Sequence, residues 1–203
     1  MTKVHLLLIS VSLGFIYGVA MLLIISVNCC NSANNSRYIL RQIINKNQEM
    51  LIDAETLFHT SFTEHGISEE ECNQSLEWFT KPSISNLNGT EKLLKEIDRN
   101  LNRFHKAFKD PKNEHTDEYT HKEMITLALS SIEAQRKNVQ NYLKRENGVN
   151  ESGLAIPDRD FYQKKLDCCL LSNNYMEFLR DVNKELKKHD QRRKKRNRAV
   201  LVY

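Results

Sequence analysis

Apolar positions along the chain fall into four stretches at helical spacing. The first spans about 36–59. Ile39, Ile43, Met50, Ala54 and Leu57 recur on one face, and Leu40, Ile44, Leu51 and Phe58 widen the stripe. The second spans about 90–109, with Leu93, Leu94, Ile97, Leu101, Phe104 and Phe108 on its apolar face and Pro111 as its stop. The third spans about 120–144. Thr120 and Glu123 have capping-box spacing, Met124, Leu127, Ala128, Ile132, Val139, Tyr142 and Leu143 follow, and Gly148 ends it. The fourth spans about 158–188, capped by Asp158 or Asp160 after Pro157. It carries Phe161, Leu166, Leu170, Tyr175, Phe178, Val182 and Leu186. Only six glycines and three prolines punctuate the chain, too few for the many tight turns of an all-β fold. The pattern predicts an all-α protein.

Connection lengths carry the topology. A helix of about 24 residues is roughly 36 Å long. The first connection, Phe62 to Asn88, is about 27 residues, too long for a simple turn between neighbouring antiparallel helices. It lets the second helix start at the same end as the first. The connection from Asp110 to Tyr119 is short and suits an antiparallel neighbour. The third, Gly148 to Pro157, reaches about 33–36 Å when extended, just enough to cross a bundle. These lengths predict a long-chain four-helix bundle, up-up-down-down, with two long crossover connections. A plain up-and-down bundle is the alternative.

Lys3 and His5 precede an uncharged run from Leu6 to Val27, which reads as a secretory signal peptide over 1–28, with cleavage between 20 and 33. An uncleaved signal anchor is the competing reading. Both place the remainder, a helical domain over 36–188 and a basic tail over 189–203, in an oxidising compartment. Sequons at Asn34, Asn73, Asn88 and Asn150 agree with export. The five cysteines, Cys29, Cys30, Cys72, Cys168 and Cys169, lack zinc-site spacing and read as disulfide formers, with at least one left over.

Charge is nearly balanced, 30 Lys and Arg against 26 Asp and Glu, and the basic surplus sits in residues 191–198. No nucleic-acid partner is expected for the body of the chain. Arg193, Lys194, Lys195 and Arg196 form an R-x-K-R processing candidate; an uncut tail holding anionic glycans by charge is the alternative. There is no H-E-x-x-H, G-x-S-x-G or phosphate-cradling glycine loop. His59 and His65, like His115 and His121, stand six apart, which does not bring a pair to one metal on a helix. No enzymatic activity, cofactor or metal is expected.

The segment from Asp160 to Leu171 resembles the start of the last helix in the leukaemia inhibitory factor and oncostatin M family, within the interleukin-6 superfamily. Phe161, Lys164 and Cys168 fall on its pattern of F-x-x-K followed by a cysteine seven residues after the Phe. The run Asn88 to Lys92 is similar to the start of the family's second helix. Glu71-Cys72 is similar to its linker cysteine, and Gln42-Ile43 and Leu57-Phe58 fit its first helix. The family's cysteine at the end of the third helix is missing between Tyr142 and Asn147, Cys29 has lost its partner, and Cys169 is additional.

The resemblance implies a secreted, monomeric cytokine that brings together class I receptors and so activates JAK/STAT signalling. Phe161 and Lys164, three apart on one helix face, would contact a chain of leukaemia inhibitory factor receptor or oncostatin M receptor type. Gln42, Asn45, Lys46 and Glu49 would face the shared glycoprotein-130 subunit. Cys72 would bond Cys168, while pairing of Cys29, Cys30 and Cys169 stays open. The runner-up is a signal-anchored type II membrane helical-bundle protein without cytokine activity.

Overall fold

A computed structural model of the chain describes residues 35–85, 87–110, 119–144 and 156–200, without the side chains of 119, 120 and 196–200. The leader, Asn34, Cys29, Cys30, Gly148, Asn150 and the last three residues lie outside the described residues. Two compact units divide the chain, Met1–Leu40 and Arg41–Tyr203, and the packing that follows belongs to the second.

Five helices and no strand are found among the described residues. They are α1 (35–65), α2 (Glu69–Cys72), α3 (Thr90–Lys109), α4 (Tyr119–Leu143) and α5 (Phe161–Val200). The all-α expectation holds. Local chemistry sets the ends. Gly66, at φ 64°, takes the left-handed position that closes α1, and Ile67 N–H bonds back to Phe62 O at 3.2 Å. Asp110, before Pro111, is extended at ψ 125°, where a following proline pushes it, and α3 stops there. Lys144, at φ 53°, ends α4. The α4 helix starts at Tyr119, so Thr120 lies inside it rather than at its cap.

Besides α1, which runs to residue 65 rather than about 59 and takes in Phe62, two further elements differ from the sequence expectation. The first connection is partly helical: Ser68 and Glu71 form a capping box that starts α2, with Ser68 N–H donating to Glu71 Oε2 at 2.9 Å. Ile67, Leu76, Phe79 and Ile84 anchor this connection in the core. The last helix runs beyond 188 to Val200. Its apolar stripe fades after Leu186, so periodicity no longer marks it, but no Gly or Pro interrupts it and its Lys, Arg and Gln residues favour helix.

The core follows the apolar stripes with instructive exceptions. Ile43, Met50, Ala54 and Leu57 of α1 are buried, as is the full expected face of α3. Phe104 is central, with ring centroids 4.8 Å from Phe79, 5.2 Å from Tyr175 and 5.4 Å from Phe178. On α4, Leu127 is 43 % exposed, whereas His121, Ser131 and Gln135 are buried. Buried polar side chains on α4 and α1 bond across helices. Gln135 Nε2 donates to Ile43 O at 2.8 Å, and Asn47 Nδ2 to Leu179 O at 3.1 Å. At the α3–α4 seam, Arg136 Nε bonds Asp98 Oδ1 at 3.0 Å and His105 Nε2 lies 2.9 Å from Glu133 Oε1.

The disulfide expectation needs correction. Cys72 bonds Cys169, with Cα atoms 5.4 Å apart, and Cys168 is a buried free thiol. Successive residues on a helix point about 100° apart. The turn that directs Cys169 at α2 directs Cys168 at His121, with Sγ 3.5 Å from Nε2. Cys169, not Cys168, faces the connection.

Candidate functional site

The first turn of α5 is the best-defined surface feature. Asp160 caps it: its Oδ1 accepts from Gln163 N–H at 2.8 Å, and its carbonyl from Lys164 N–H at 3.0 Å. Phe161 is 64 % exposed and Tyr162 53 %. Phe161 is therefore not the first core residue of its stripe. Lys165 Nζ stands 4.7 Å from the centre of the Phe161 ring, a cation over an aromatic face. Lys164, half-buried, follows one turn after Phe161.

The connection between α1 and α3 is tied to this turn. Besides the disulfide, Trp78 Nε1 donates to Asp167 Oδ2 at 2.9 Å and Arg159 Nη2 to Glu77 Oε2 at 3.0 Å. Tyr162 Oη donates to Glu71 Oε1 at 2.9 Å, and Asn173 Nδ2 to Cys72 O at 3.0 Å. Hydrogen bonds from the Ser68 side chain and backbone, then from Tyr162, hold the Glu71 carboxyl below its ordinary range. The same carboxylate, first as hydrogen-bond acceptor, pushes the Tyr162 hydroxyl up. An exposed aromatic and its adjacent cations are thus presented on a turn tied to the connection by covalent and polar contacts.

The α1 residues also form one face. Gln42, Asn45 and Glu49 are exposed, and half-buried Lys46 bonds Glu49 Oε2 at 3.3 Å. Ile52, 65 % exposed, continues this solvent side by one turn. Asn73 and Asn88 are exposed. Asn73 follows α2, where its Oδ1 accepts from Asn173 Nδ2 at 2.9 Å, and Asn88 precedes α3. Arg193 is half-buried, Lys194 and Lys195 are exposed, and all lie within α5 together with Arg196.

A polar cluster inside the protein brings Ser61, His121, Ser172 and Cys168 together. Ser61 Oγ is 3.0 Å from His121 Nε2 and 3.1 Å from Ser172 Oγ. Burial pushes the Cys168 thiol up to about 12, so it stays protonated at neutral pH. No group of three or more His, Cys, Asp or Glu side chains gathers to hold a metal among the described residues. No described helix is long and apolar enough to cross a membrane.

Sequence reasoning missed Trp78, Asp167, Tyr162 and Lys165. The one signal for Trp78 was its solitude, a single Trp within a polar connection. Comparison with protein-family models, with curated proteins and with solved structures finds no match.

Proposed function

We propose that the chain is a secreted four-helix cytokine of the leukaemia inhibitory factor and oncostatin M type, which brings two receptor chains together and does no chemistry itself. The observation that carries this reading is Phe161, an exposed aromatic beside Lys164 and Lys165 on a turn fixed by the disulfide-bonded connection. An aromatic held in solvent on a rigid element has the make-up of an interface anchor, because little ordering entropy remains to be lost on binding.

Helix directions support an up-up-down-down arrangement. Ile43 meets Gln135 and Ser61 meets His121, so α1 and α4 run oppositely. Asn47 meets Leu179 and Ser61 meets Ser172, so α5 also opposes α1. Asp98 pairs with Arg136 and His105 with Glu133, so α3 opposes α4. In this reading α1 and α3 share one direction, α4 and α5 the other, and the two long connections cross the bundle.

Phe161 and Lys164 contact a receptor of leukaemia inhibitory factor receptor or oncostatin M receptor type. Gln42, Asn45, Lys46 and Glu49 face a glycoprotein-130 type chain. Export precedes both contacts, with residues 1–28 removed and Asn34, Asn73, Asn88 and Asn150 available for glycosylation. Cleavage after Arg196 would leave the rest of α5 in place. The test is size-exclusion chromatography of the secreted protein with both receptor ectodomains. A ternary complex is the expected result, and separate elution of all three components contradicts the reading.

A further inference from the structure

We propose that the cleft between the first connection and α5 holds the first sugars of an N-linked glycan carried by Asn73. The cleft, about 730 Å³, is walled by Asn73, Ser75 and Thr80 on the connection and by Asn173, Asn174 and Glu177 on α5. Its volume is that of an ordinary ligand site. Its lining is mostly amide, hydroxyl and charged groups, which suit sugar hydroxyls and acetamides better than an apolar ligand. The inference rests on the export reading, because the sugar is added in the secretory route.

Three features point to a linked sugar. The first is the orientation of the Asn73 amide. Asn173 Nδ2 lies 3.0 Å from Cys72 O and 2.9 Å from Asn73 Oδ1. A backbone carbonyl only accepts, so the Asn173 atom is a donor, and the Asn73 atom facing it is the acceptor Oδ1. Asn73 Nδ2, the atom through which a glycan is linked, has no hydrogen bond among the described residues. Asn73 and the sequon residue Ser75 are both exposed.

The second is Asn174. It is 8 % exposed and lines the cleft, yet its side-chain amide has no hydrogen bond among the described residues. Unlike Asn47 Oδ1 and Gln135 Oε1, which are sealed inside the protein, this amide keeps an opening on the cleft. A mostly buried amide without a partner is costly, and a sugar hydroxyl or acetamide would supply one.

The third is the fixed shape of the walls. Lys81 on the connection pairs with Glu177 on α5, Arg103 Nη2 donates to Thr80 O at 3.1 Å, and the Phe79 ring packs 4.8 Å from that of Phe104. A preformed cleft takes its occupant with little ordering cost. Polar contacts of this kind hold a free sugar weakly. A sugar linked to Asn73 has the high effective concentration of a tethered ligand, so the same contacts suffice. From Phe161 to Asn174 the helix rises about 20 Å, which leaves the receptor turn clear while the glycan bridges the connection and α5.

The linking step joins Asn73 Nδ2 to the anomeric carbon of an N-acetylglucosamine. The donor is a polyprenyl-pyrophosphate oligosaccharide. The bond from that carbon to the pyrophosphate breaks, the pyrophosphate leaves with the electron pair, and one amide proton is lost to solvent.

The test is made on the full chain secreted by an animal cell line. Glycopeptide mapping should find Asn73 modified. Asn174→Ala should speed release of that glycan from the native protein by an N-glycan amidase about threefold or more, with release at Asn88 unchanged. The same substitution should lower the Tm of the glycosylated protein by about 2–4 °C. It should lower that of Ser75→Ala far less, because this variant loses the sequon but keeps the bond from Asn173 to Asn73. An unmodified Asn73, unchanged release, or equal Tm losses with and without the glycan would each overturn the proposal. A chain that never reaches the medium overturns the export reading and the proposal together, whereas a secreted chain with a bare Asn73 sinks the proposal alone. No receptor is used, so absence of a ternary complex bears only on the receptor reading.

Discussion

Trp78 donates its indole N–H to the carboxylate of Asp167 at 2.9 Å, joining the first connection to the second turn of α5. The Asp167 side chain is 3 % exposed. Its Oδ1 accepts from Gln163 Nε2 at 2.9 Å, and Arg159 Nε lies 3.7 Å from the Oδ2 that Trp78 engages. A buried carboxylate depends on every donor that replaces water around it. Trp78→Phe keeps an aromatic ring and removes only the donor. It should cost about 1–3 kcal/mol in urea unfolding, with a smaller effect meaning that water restores the bond.

The disulfide makes the second prediction. Peptide mapping should recover Cys72 joined to Cys169, which are 97 residues apart, with Cys168 as a thiol. Closing so long a loop is worth about 4–5 kcal/mol in the chain-entropy model. Cys169→Ala should therefore lower stability far more than Cys168→Ala. Recovery of a Cys72–Cys168 peptide would reverse this ranking.

Alkali gives the third. An ordinary thiol ionises near 9.0, and burial raises that of Cys168 to about 12. A raised folded value means the stabilisation is complete below the unfolded value and is lost as pH rises toward the folded one. From pH 9 upward the native protein should lose about 1 kcal/mol per pH unit more than Cys168→Ala does. Burial of Tyr175 acts in the same direction at higher pH, so the variant keeps some slope of its own. Chemical denaturation at several pH values between these limits reads the difference, and parallel slopes would place the thiol in contact with water.

The helices were legible because their stripes are long and regular: α3 was expected at 90–109 and lies at Thr90–Lys109. What periodicity could not assign was a residue at the end of a stripe. Phe161 continues the apolar pattern of α5 by spacing, yet it stands one turn beyond the packed segment, in solvent. The same limit hid the far end of α5, where helix continues without an apolar face. Adjacent cysteines posed a related problem. The resemblance implied that Cys168 pairs with Cys72, but the rotation of α5 decides which of the two neighbours does, and rotation is set by packing that Asn173 and Trp78 help to fix. Buried Gln135 and His121 were invisible because their partners lie 92 and 60 residues away.

Most directly, the receptor account is tested by Phe161→Ala, measured both by thermal melting and by titration against a leukaemia inhibitory factor receptor type ectodomain. With the ring in solvent, stability should change by no more than about 0.5 kcal/mol. Loss of an interface anchor should cost about 2–4 kcal/mol of binding, a weakening of roughly 30- to 1,000-fold. Lys164→Ala should weaken the same contact without unfolding the protein, while glycoprotein-130 binding persists in both variants. A Phe161→Ala protein that melts normally and binds the ectodomain with unaltered affinity would contradict the account.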